Sequence, residues 1–407
     1  MSTTVPTRAE PTPSRARPAW ARWLSGQESG LLLVILLMMV GLTLAAPTIA
    51  QRSSIRLPAD AVVETLDSGA VRYTHDGRTR EIPAEQNPRV QQRTDETFIF
   101  VERRVNRFLN AQNLIGNATQ ASFIAIMAVG MMGIIILGGI DLSIGSVYAL
   151  AGVVGGFALQ YLEKHWGGGS GGAPLYVALP VALLVCCGVG GICGFINGAS
   201  SVGLGVHPFI ITLGGMAIYR GIAFVATDGQ TVSNFPNALS DGFFKLSWGG
   251  VNPVPLLLML GIGAAGAFIL SRTVFGRQTY AVGGNETAAR YAGIATGRVK
   301  IAWYTIAGAL AGLSASMLAG YYGAVSTDAG SGYELAVIAA AVVGGASLSG
   351  GRGTALGAVL GAVVIQLINN AIIVLNINEQ YKQIIIGLAI VIAVVVDQAR
   401  NRVSRGR

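Results

Sequence analysis

Charged residues are scarce in this sequence of 407 residues. Asp, Glu, Lys and Arg together make up 12% of it, whereas a soluble domain carries about a quarter. Hydrophobic residues account for 52%, and there are 56 glycines. This composition excludes an ordinary soluble protein and indicates an all-α polytopic membrane protein.

Cysteines and catalytic motifs are equally sparse. Cys186, Cys187 and Cys193 share one apolar segment, so we interpret them as small core residues and not as a disulfide framework. A GxxxxGK(S/T) phosphate loop is absent, which predicts that this chain does not hydrolyse ATP. The sequence shows neither a clustered acid–base set nor a group of metal ligands. We therefore expect no catalytic residue, no metal and no cofactor in this chain.

The net charge of +8 is concentrated at the two ends and in a few loops. Membrane topology explains this better than binding to nucleic acid. We predict a disordered cytoplasmic tail over residues 1–30 and a basic cytoplasmic tail over residues 398–407. Residues 31–50 are apolar enough to form the first transmembrane helix. A cleaved signal peptide is the rival interpretation, against which the long preceding segment argues.

Residues 51–107 interrupt the apolar pattern with ten Arg against nine Asp and Glu. Alternating residues with turn signals at 67–69 and 76–77 suggest a small β-hairpin element. We predict an extracytoplasmic insertion here, because the positive-inside rule is weakest for long translocated loops.

Nine further apolar segments follow the insertion, so about ten transmembrane helices are predicted in all. They lie near residues 114–137, 145–161, 175–197, 207–227, 253–271, 301–321, 334–349, 353–375 and 382–397. An even number of spans places both termini on one side of the membrane. The loop over residues 272–300 is as basic as the two tails, which predicts that this common side is cytoplasmic.

The pattern GGxxLSxG occurs twice, as GGIDLSIG from Gly138 and as GGASLSGG 206 positions later. Internal duplication is one interpretation, since transporters commonly contain repeats with the pathway between them. A bias towards small residues in membrane helices is the other. Backbone that leaves helical geometry at membrane depth must line a cavity or be buried in protein, so both breaks are candidates for a pathway. The candidate residues are Gly138, Gly139, Asp141, Ser143, Gly344, Gly345, Ser347 and Ser349.

Two charged residues lie within or beside apolar segments. Asp141 either caps the helix that follows it by accepting backbone N–H bonds or marks a substrate or ion pathway. Arg220 is costly inside its apolar segment unless it is paired or reaches water. Asp228, eight residues later, is too far along one straight helix to be its partner.

Gly283–Ile294, with the sequence GGNETAARYAGI, is polar and lies between two apolar segments. Asn285 is a good N-cap, and Gly293 is well placed as a C-cap, so a helix of about two turns is predicted. Glu286 and Arg290 are spaced for an ion pair on it. So short a helix is unstable alone, and it packs either on this chain or on a soluble partner. The candidate residues are Gly283, Gly284, Asn285, Glu286, Arg290 and Gly293.

Tyr321–Glu334 is a polar and aromatic stretch that we expect outside, between two spans. Its acids and tyrosines suit a sugar site, although any loop at the membrane interface favours the same mixture. Asp328, Tyr333 and Glu334 are the candidates here for docking a partner from the extracytoplasmic side.

Four blocks resemble the ribose-type permeases of bacterial ABC sugar importers, and they cover most of residues 108–397. The blocks are LGGIDLSIGSVYALAG, HPFIITLGGMAIYRGIAFVATDGQ, FGRQTYAVGGNETAARYAGI and DAGSGYELAVIAAAVVGGASLSGGRGT. The resemblance implies a transmembrane permease core over 108–397 that forms a dimer with a second copy or a paralogue. Residues 51–98 depart from the family pattern, in which this outside loop is short.

The resemblance also implies partners and a function. A cytoplasmic ATP-binding subunit would bind ATP and Mg²⁺, and Gly283–Ile294 matches the short permease helix that fits a cleft in that subunit. An extracytoplasmic sugar-binding protein would deliver a monosaccharide such as ribose, xylose or galactose to this subunit in the bacterial inner membrane. Import of nucleosides or other polar solutes, and ion-coupled secondary transport, are the alternatives.

Overall fold

The computed structural model describes residues 27–405, except 59–60, 76, 94–95, 167–171, 247 and 249–251. The predicted tail over 1–30 therefore lies outside the described residues up to position 26. Within the described ranges the chain forms twelve α-helices: α1 Gln27–Ala45, α2 Ala111–Ile136, α3 Ile144–His165, α4 Leu175–Leu204, α5 Pro208–Thr227, α6 Pro253–Arg272, α7 Val274–Gly284, α8 Glu286–Tyr291, α9 Thr296–Tyr322, α10 Tyr333–Val343, α11 Ala355–Val374 and α12 Tyr381–Arg405.

Eight of the described helices are long and apolar enough to cross a membrane: α1 to α6, α9 and α11. Two of the predicted segments are shorter apolar helices, α10 and the first part of α12. The predicted polytopic all-α class is thus confirmed, and the ten predicted segments correspond to eight long and two shorter apolar helices among the described residues. The 11 residues of α10 extend about 16 Å, which is only half of the bilayer core of about 30 Å.

The helices run between two opposite faces of the bundle. The α7–α8 face carries helices α7 and α8, and the insertion face carries the inserted sheets. On the α7–α8 face, the Thr354 hydroxyl at the start of α11 donates to the Glu28 carboxylate of α1. On the insertion face, Arg107 donates to the backbone carbonyl of Val374 at the other end of α11. The chain enters α1 on the α7–α8 face, and α12 runs back towards it from the insertion face. Because α12 continues to Arg405, the predicted tail over 398–407 is largely helical.

The insertion is larger than the predicted hairpin. An antiparallel ribbon pairs β1 Thr48–Pro58 with β6 Glu96–Asn106, and β5 Arg89–Arg93 adds a third strand to β6. A second three-stranded sheet has the order β2 Val62–Thr65, β3 Val71–His75 and β4 Arg78–Ile82. The two sheets share a small apolar core: Leu57, Val71, Tyr73, Ile82, Ile99 and Val101. A third strand in each sheet provides the buried face that an isolated hairpin lacks.

Both predicted turns of the insertion are present in the second sheet. The first closes between β2 Val62–Thr65 and β3 Val71–His75, where the Gly69 N–H donates to Leu66 O at 2.8 Å. The second connects β3 to β4 Arg78–Ile82 through Gly77, which has a φ of +72°. A third sheet, made of the short strands β7 Val232–Ser233 and β8 Ala324–Val325, joins two loops of the bundle.

Glycines bring the backbones of α4 and α9 into direct contact. A Cβ on Gly190 would lie 2.1 Å from the Gly308 carbonyl oxygen, and one on Gly194 would lie 2.1 Å from the Tyr304 carbonyl oxygen. The contact is reciprocal, because a Cβ on Gly308 would lie 2.1 Å from Gly190 O. Small residues four apart allow this approach in membrane helices, where dispersion contacts replace the hydrophobic effect.

We predict that Gly190→Ala destabilises the bundle by about 1–3 kcal/mol, because the added methyl group forces two backbones apart. Gly188→Ala on the same helix is the matched control, since a Cβ there meets nothing within 4 Å. The melting temperatures of the two variants in mild detergent provide the comparison. Equal melting temperatures would contradict the close α4–α9 contact.

Candidate functional site

The two GGxxLSxG copies end their helices in the same way. At the end of α2, Gly138 has a φ of +77°, and the Gly139 N–H donates to Ile134 O at 3.0 Å. At the end of α10, Gly345 has a φ of +95°, and the Ala346 N–H donates to Ala341 O at 2.9 Å. Both are glycine caps with a left-handed residue. The left-handed glycines of the two copies, Gly138 and Gly345, are therefore one position further apart than the 206 positions of the sequence match.

Beyond these caps the two copies diverge. The first enters α3 at Ile144, whereas the second makes a longer loop and enters α11 at Ala355. Within the longer loop, Ser347 is buried and Ser349 is exposed. Gly344 lies at the crossing of α10 and α11, where a Cβ would be 2.2 Å from Gly357 O. The shared pattern thus encodes a way of ending a helix, and the rest of each loop is different.

The two helix breaks, after α2 and after α10, contact α7 at a point where backbone atoms pack directly on backbone atoms. The Gly351 N–H donates to Ile136 O at 2.8 Å, which joins the second loop to the end of α2. Gly283 of α7 packs on the same carbonyl, because a Cβ on it would lie 1.7 Å from Ile136 O. A Cβ on Gly350 would lie 2.7 Å from Gly283 O. We name Ile136, Gly283, Gly350 and Gly351 the glycine junction.

The glycine junction adds two residues to the sequence candidates. Gly283, which is one of those candidates, lies inside α7, which continues through it and ends at Gly284. Gly350 and Gly351 were not among the sequence candidates. Their φ angles of +83° and +75° favour glycine, and the GG pair in the sequence was the available signal.

Asp141 lies in a buried hydrogen-bond network that joins the first break to α4 and α5. Its Oδ1 accepts from the backbone N–H of Ser143 at 2.8 Å and from the Ser143 hydroxyl at 2.6 Å. Asn197 Nδ2 donates to that hydroxyl at 2.8 Å, and the Tyr219 hydroxyl donates to Asn197 Oδ1 at 2.9 Å.

The Asp141 side chain closes a turn one residue before α3 and does not cap the first turn of that helix. Sequence reasoning missed Asn197 and Tyr219, whose polar groups in apolar segments were the signal. Asp141 is only 1% exposed, and a buried carboxylate persists where hydrogen bonds compensate for its desolvation.

Arg220 of α5 is satisfied by backbone carbonyls. Its Nη1 donates to Thr327 O at 2.9 Å and to Ala329 O at 2.7 Å. The carboxylates that act on it electrostatically are Glu334 and Asp328. This arrangement holds the loop over residues 323–332 against α5, and it explains how a guanidinium is tolerated in an apolar segment.

The loop over residues 323–332 enters the bundle and packs against α3. Gly330 packs on α3, since a Cβ on it would lie 2.8 Å from Gly145 O. Glu334 follows at the start of α10, and its Oε2 is buried with no hydrogen-bond partner among the described residues. Of the three residues predicted for docking, Asp328 is exposed, whereas Tyr333 and Glu334 are partly buried. Their docking role stays a prediction.

The short helix α8 has the caps that its sequence predicts. Asn285 Oδ1 accepts from the Ala288 N–H at 2.9 Å. At the other end Gly293 has a φ of +83°, and the Ile294 N–H donates to Ala289 O at 3.0 Å. These caps satisfy backbone groups at both ends of α8 from within this chain.

Lys300 at the start of α9 forms an ion pair with Glu286 of α8 and so attaches α8 to the bundle. The spacing in the sequence indicated only the pair of Glu286 with Arg290. Lys300 Nζ lies 2.7 Å from Glu286 Oε2, whereas Arg290 Nη2 lies 3.5 Å from Glu286 Oε1. The Lys300 hydrogen bond holds the pKa of Glu286 below its usual 4.5. Tyr291 on the same helix is 88% exposed, so α8 packs on this chain by one side and presents the other outward.

Residues 113–394 match the family model described as "Branched-chain amino acid transport system / permease component". The ribose import permease protein RbsC of Haemophilus influenzae is 36% identical over 292 residues, which cover 71% of this chain and 86% of that protein. RbsC of Escherichia coli is 35% identical, covering 72% and 88%. The galactose/methyl galactoside import permease protein MglC of Haemophilus influenzae is 33% identical, also covering 72% and 88%. No solved structure matches. The insertion lies outside the matched region.

We predict that Gly283→Ala destabilises the protein and separates α7 from α2, because the methyl group would overlap the Ile136 carbonyl. Gly284→Ala is the matched control, since a Cβ at the neighbouring glycine meets nothing within 4 Å. Thermal unfolding in detergent tests this, with a loss of about 1–3 kcal/mol expected for Gly283→Ala alone. If both variants unfolded alike, the glycine junction would not be a tight contact.

We predict that Lys300→Met increases hydrogen exchange of the α8 amides by up to about fivefold, and that Arg290→Met changes it little. The Lys300 ion pair is shorter and Lys300 is 24% exposed, against 71% for Arg290, so solvent screens the Lys300 pair less. A carboxylate with a lowered pKa contributes stability that is lost as the pH falls through that pKa. The difference between the variants should therefore persist down to about pH 5 and disappear in stronger acid. A larger effect of Arg290→Met would contradict this assignment.

Proposed function

The chain belongs to this permease family, and we propose that it is the membrane-spanning permease subunit of an ATP-driven ABC importer for a monosaccharide. The relatives carry the proposal, because this chain matches most of the length of permeases named for import of ribose and of galactose or methyl galactoside. A permease for D-allose in Escherichia coli is 34% identical. These relatives are transport subunits and not enzymes.

A separate subunit supplies the energy in this proposal. The sequence contains no phosphate loop, so ATP and Mg²⁺ bind a partner ATPase on the α7–α8 face. That face is cytoplasmic because it carries a basic cluster: Arg272, Arg277, Arg290, Arg298 and Lys300. Both termini then lie in the cytoplasm of a bacterium, with the chain in its inner membrane.

The α8 helix transmits movement of the ATPase to the bundle. Lys300 fixes one side of α8 to α9, and Tyr291 is exposed on the other side for contact with the partner. Displacement of α8 pulls on α7, which touches both helix breaks through the glycine junction. Closely packed backbones move as rigid pieces, so the breaks change position together and the pathway switches sides.

In this proposal the substrate is delivered on the side of the membrane that faces the insertion. An extracytoplasmic sugar-binding protein docks on the insertion face, and the permease forms a dimer with a second copy or a paralogue. Differential affinity of the binding protein and the ATPase for two conformations provides the free energy for alternating access. Asp328 belongs to the loop over residues 323–332, and Tyr333 and Glu334 begin α10 directly after it.

We predict that the tagged chain co-purifies from its native membrane in mild detergent with an ATPase subunit, and that Tyr291→Ala reduces the recovery of this subunit several-fold. An exposed aromatic residue at the centre of a contact often contributes a large share of its binding energy. Tyr176→Ala is the matched control, because Tyr176 is 78% exposed at the start of α4 on the insertion face.

Mass spectrometry of the co-purified proteins provides the measurement, together with uptake of radiolabelled ribose, galactose and allose by vesicles that contain the complex. Absence of any ATPase from the wild-type preparation would favour a secondary transporter. Uptake of nucleosides without uptake of the three sugars would favour the nucleoside alternative.

A further inference from the structure

The outer face of the first inserted sheet carries a pair of stacked phenylalanines. Ile99 and Val101 of β6 belong to the small core of the insertion, so Phe98 and Phe100 lie on the opposite face of the strand. Their ring centroids are 6.4 Å apart, and the rings are inclined by 21°. Phe100 is 38% exposed. The solvated face of an antiparallel sheet usually carries polar side chains, so this pair suits a contact with another protein.

Arginines flank the two rings. The register places Arg56 of β1 opposite Phe98 and Arg89 of β5 opposite Phe100, and opposed residues of an antiparallel pair share one face. Both arginines are exposed. Aromatic and arginine side chains are enriched where proteins bind one another. We name Phe98, Phe100, Arg56 and Arg89 the aromatic–arginine face.

The charge of this face indicates the kind of partner. Arg52 Nε lies 2.7 Å from Glu102 Oε1, so this acid on the same face is already neutralised. Arg89, on the opposite edge of the sheet, adds a positive charge that also acts on the Glu102 carboxylate. Complementary charge steers association and sets the orientation of the partner. An acidic protein surface therefore complements the aromatic–arginine face.

The strand that carries the two rings is joined to α2 by a hydrogen-bonded corner. Asn106 ends β6, and its Oδ1 accepts from the backbone N–H groups of Phe108 and Leu109 at 2.9 and 2.7 Å. Its Nδ2 donates to Thr43 O of α1 at 2.9 Å. Asn110, the N-cap of α2, donates to Asn106 O at 3.1 Å. A displacement of β6 therefore reaches α2 through packed groups and not through a flexible linker.

The other end of α2 lies at the glycine junction. The Ile136 carbonyl accepts from the Gly351 N–H and contacts Gly283 of α7. One helix thus connects the strand of the aromatic–arginine face with the loop after α10 and with α7. This continuity favours a partner whose arrival matters for transport over one that only rests on the surface.

We propose that the aromatic–arginine face is a docking surface for an acidic patch of the extracytoplasmic sugar-binding protein, an inference that rests on the proposed function. The Phe100 ring lies at the centre of the contact, and Arg89 pairs with a carboxylate of the partner. Docking displaces β6, and α2 carries this displacement to the glycine junction and so to α7. The contact is specific to this chain, because the insertion lies outside the region that the family model matches.

Photo-cross-linking in intact cells tests the contact with the full-length tagged chain. The photoreactive residue p-benzoylphenylalanine replaces Phe100, and in a second variant it replaces Val62. Val62 is the matched control, because it is 68% exposed and lies on the outer face of the second sheet, next to Val63 of the core. The cells are irradiated with and without ribose, galactose or allose.

We expect an adduct at position 100, and little at position 62, with an extracytoplasmic protein that mass spectrometry identifies. The purified adduct should bind the radiolabelled sugar that the cells take up. Adducts with a second copy of this chain, with lipid or with a protein that binds none of the sugars would overturn the proposal. Equal adducts at both positions, or none at position 100, would do so as well.

Sugar uptake shows whether the contact serves transport. We expect Phe100→Ala with Arg89→Gln to reduce uptake about fivefold, because the centre and the charge of the contact are lost. Overproduction of the cross-linked partner should restore uptake, since mass action compensates for weaker binding. Arg72→Gln is the control, because Arg72 is exposed on the outer face of the second sheet. A loss that overproduction leaves unchanged would contradict a docking defect.

Uptake by the wild-type chain separates the two conclusions. If the wild type takes up a sugar and the double variant takes it up equally well, the docking surface is wrong and the proposed function stands. If the wild type takes up none of the three sugars, the proposed function fails and the docking surface with it.

Discussion

The rest of the structure depends on direct contact between the backbone atoms of α2, α7 and the loop after α10 at the glycine junction. Gly283 lies directly on the Ile136 carbonyl, and Gly351 donates a hydrogen bond to the same oxygen. Any side chain at Gly283 would separate α7 from the end of α2. Because lipid provides no hydrophobic force between helices, such close contacts are what hold the helices together. The α4–α9 glycines apply the same principle in the middle of the bundle.

Polar groups in the interior are arranged around the breaks that this packing permits. Asp141 is satisfied by Ser143, and Arg220 by carbonyl groups of the loop over residues 323–332. Each polar side chain is accommodated in the bundle through hydrogen bonds and not through a simple ion pair. Glu334 is an exception, since its buried Oε2 lacks a partner among the described residues. Buried polar atoms of Asn117, Thr119, Glu163 and Asn369 also lack one there, so the unsatisfied groups are spread over several helices.

The insertion is an independent addition to this plan. It folds on its own core between α1 and α2, and the family match begins after it at residue 113. The ribbon of β1 and β6 starts directly after α1 and ends before α2. It is anchored on the insertion face, where Arg107 donates to Val374 O. The inserted sheets therefore add to the insertion face of the bundle and carry their own apolar core.

Composition, the lengths of the apolar segments and the cap residues Asn285 and Gly293 were sufficient to predict the membrane class, the number of apolar helices and the α8 caps, because these are local properties. The family resemblance followed from short contiguous blocks. Local signals could not show that Lys300 pairs with Glu286, that Asn197 completes the Asp141 network or that Arg220 binds Thr327 O. Those partners are 14, 54 and 107 residues apart in the chain. The tertiary structure decided them, because the close approach of glycine-lined helices brings distant polar groups together.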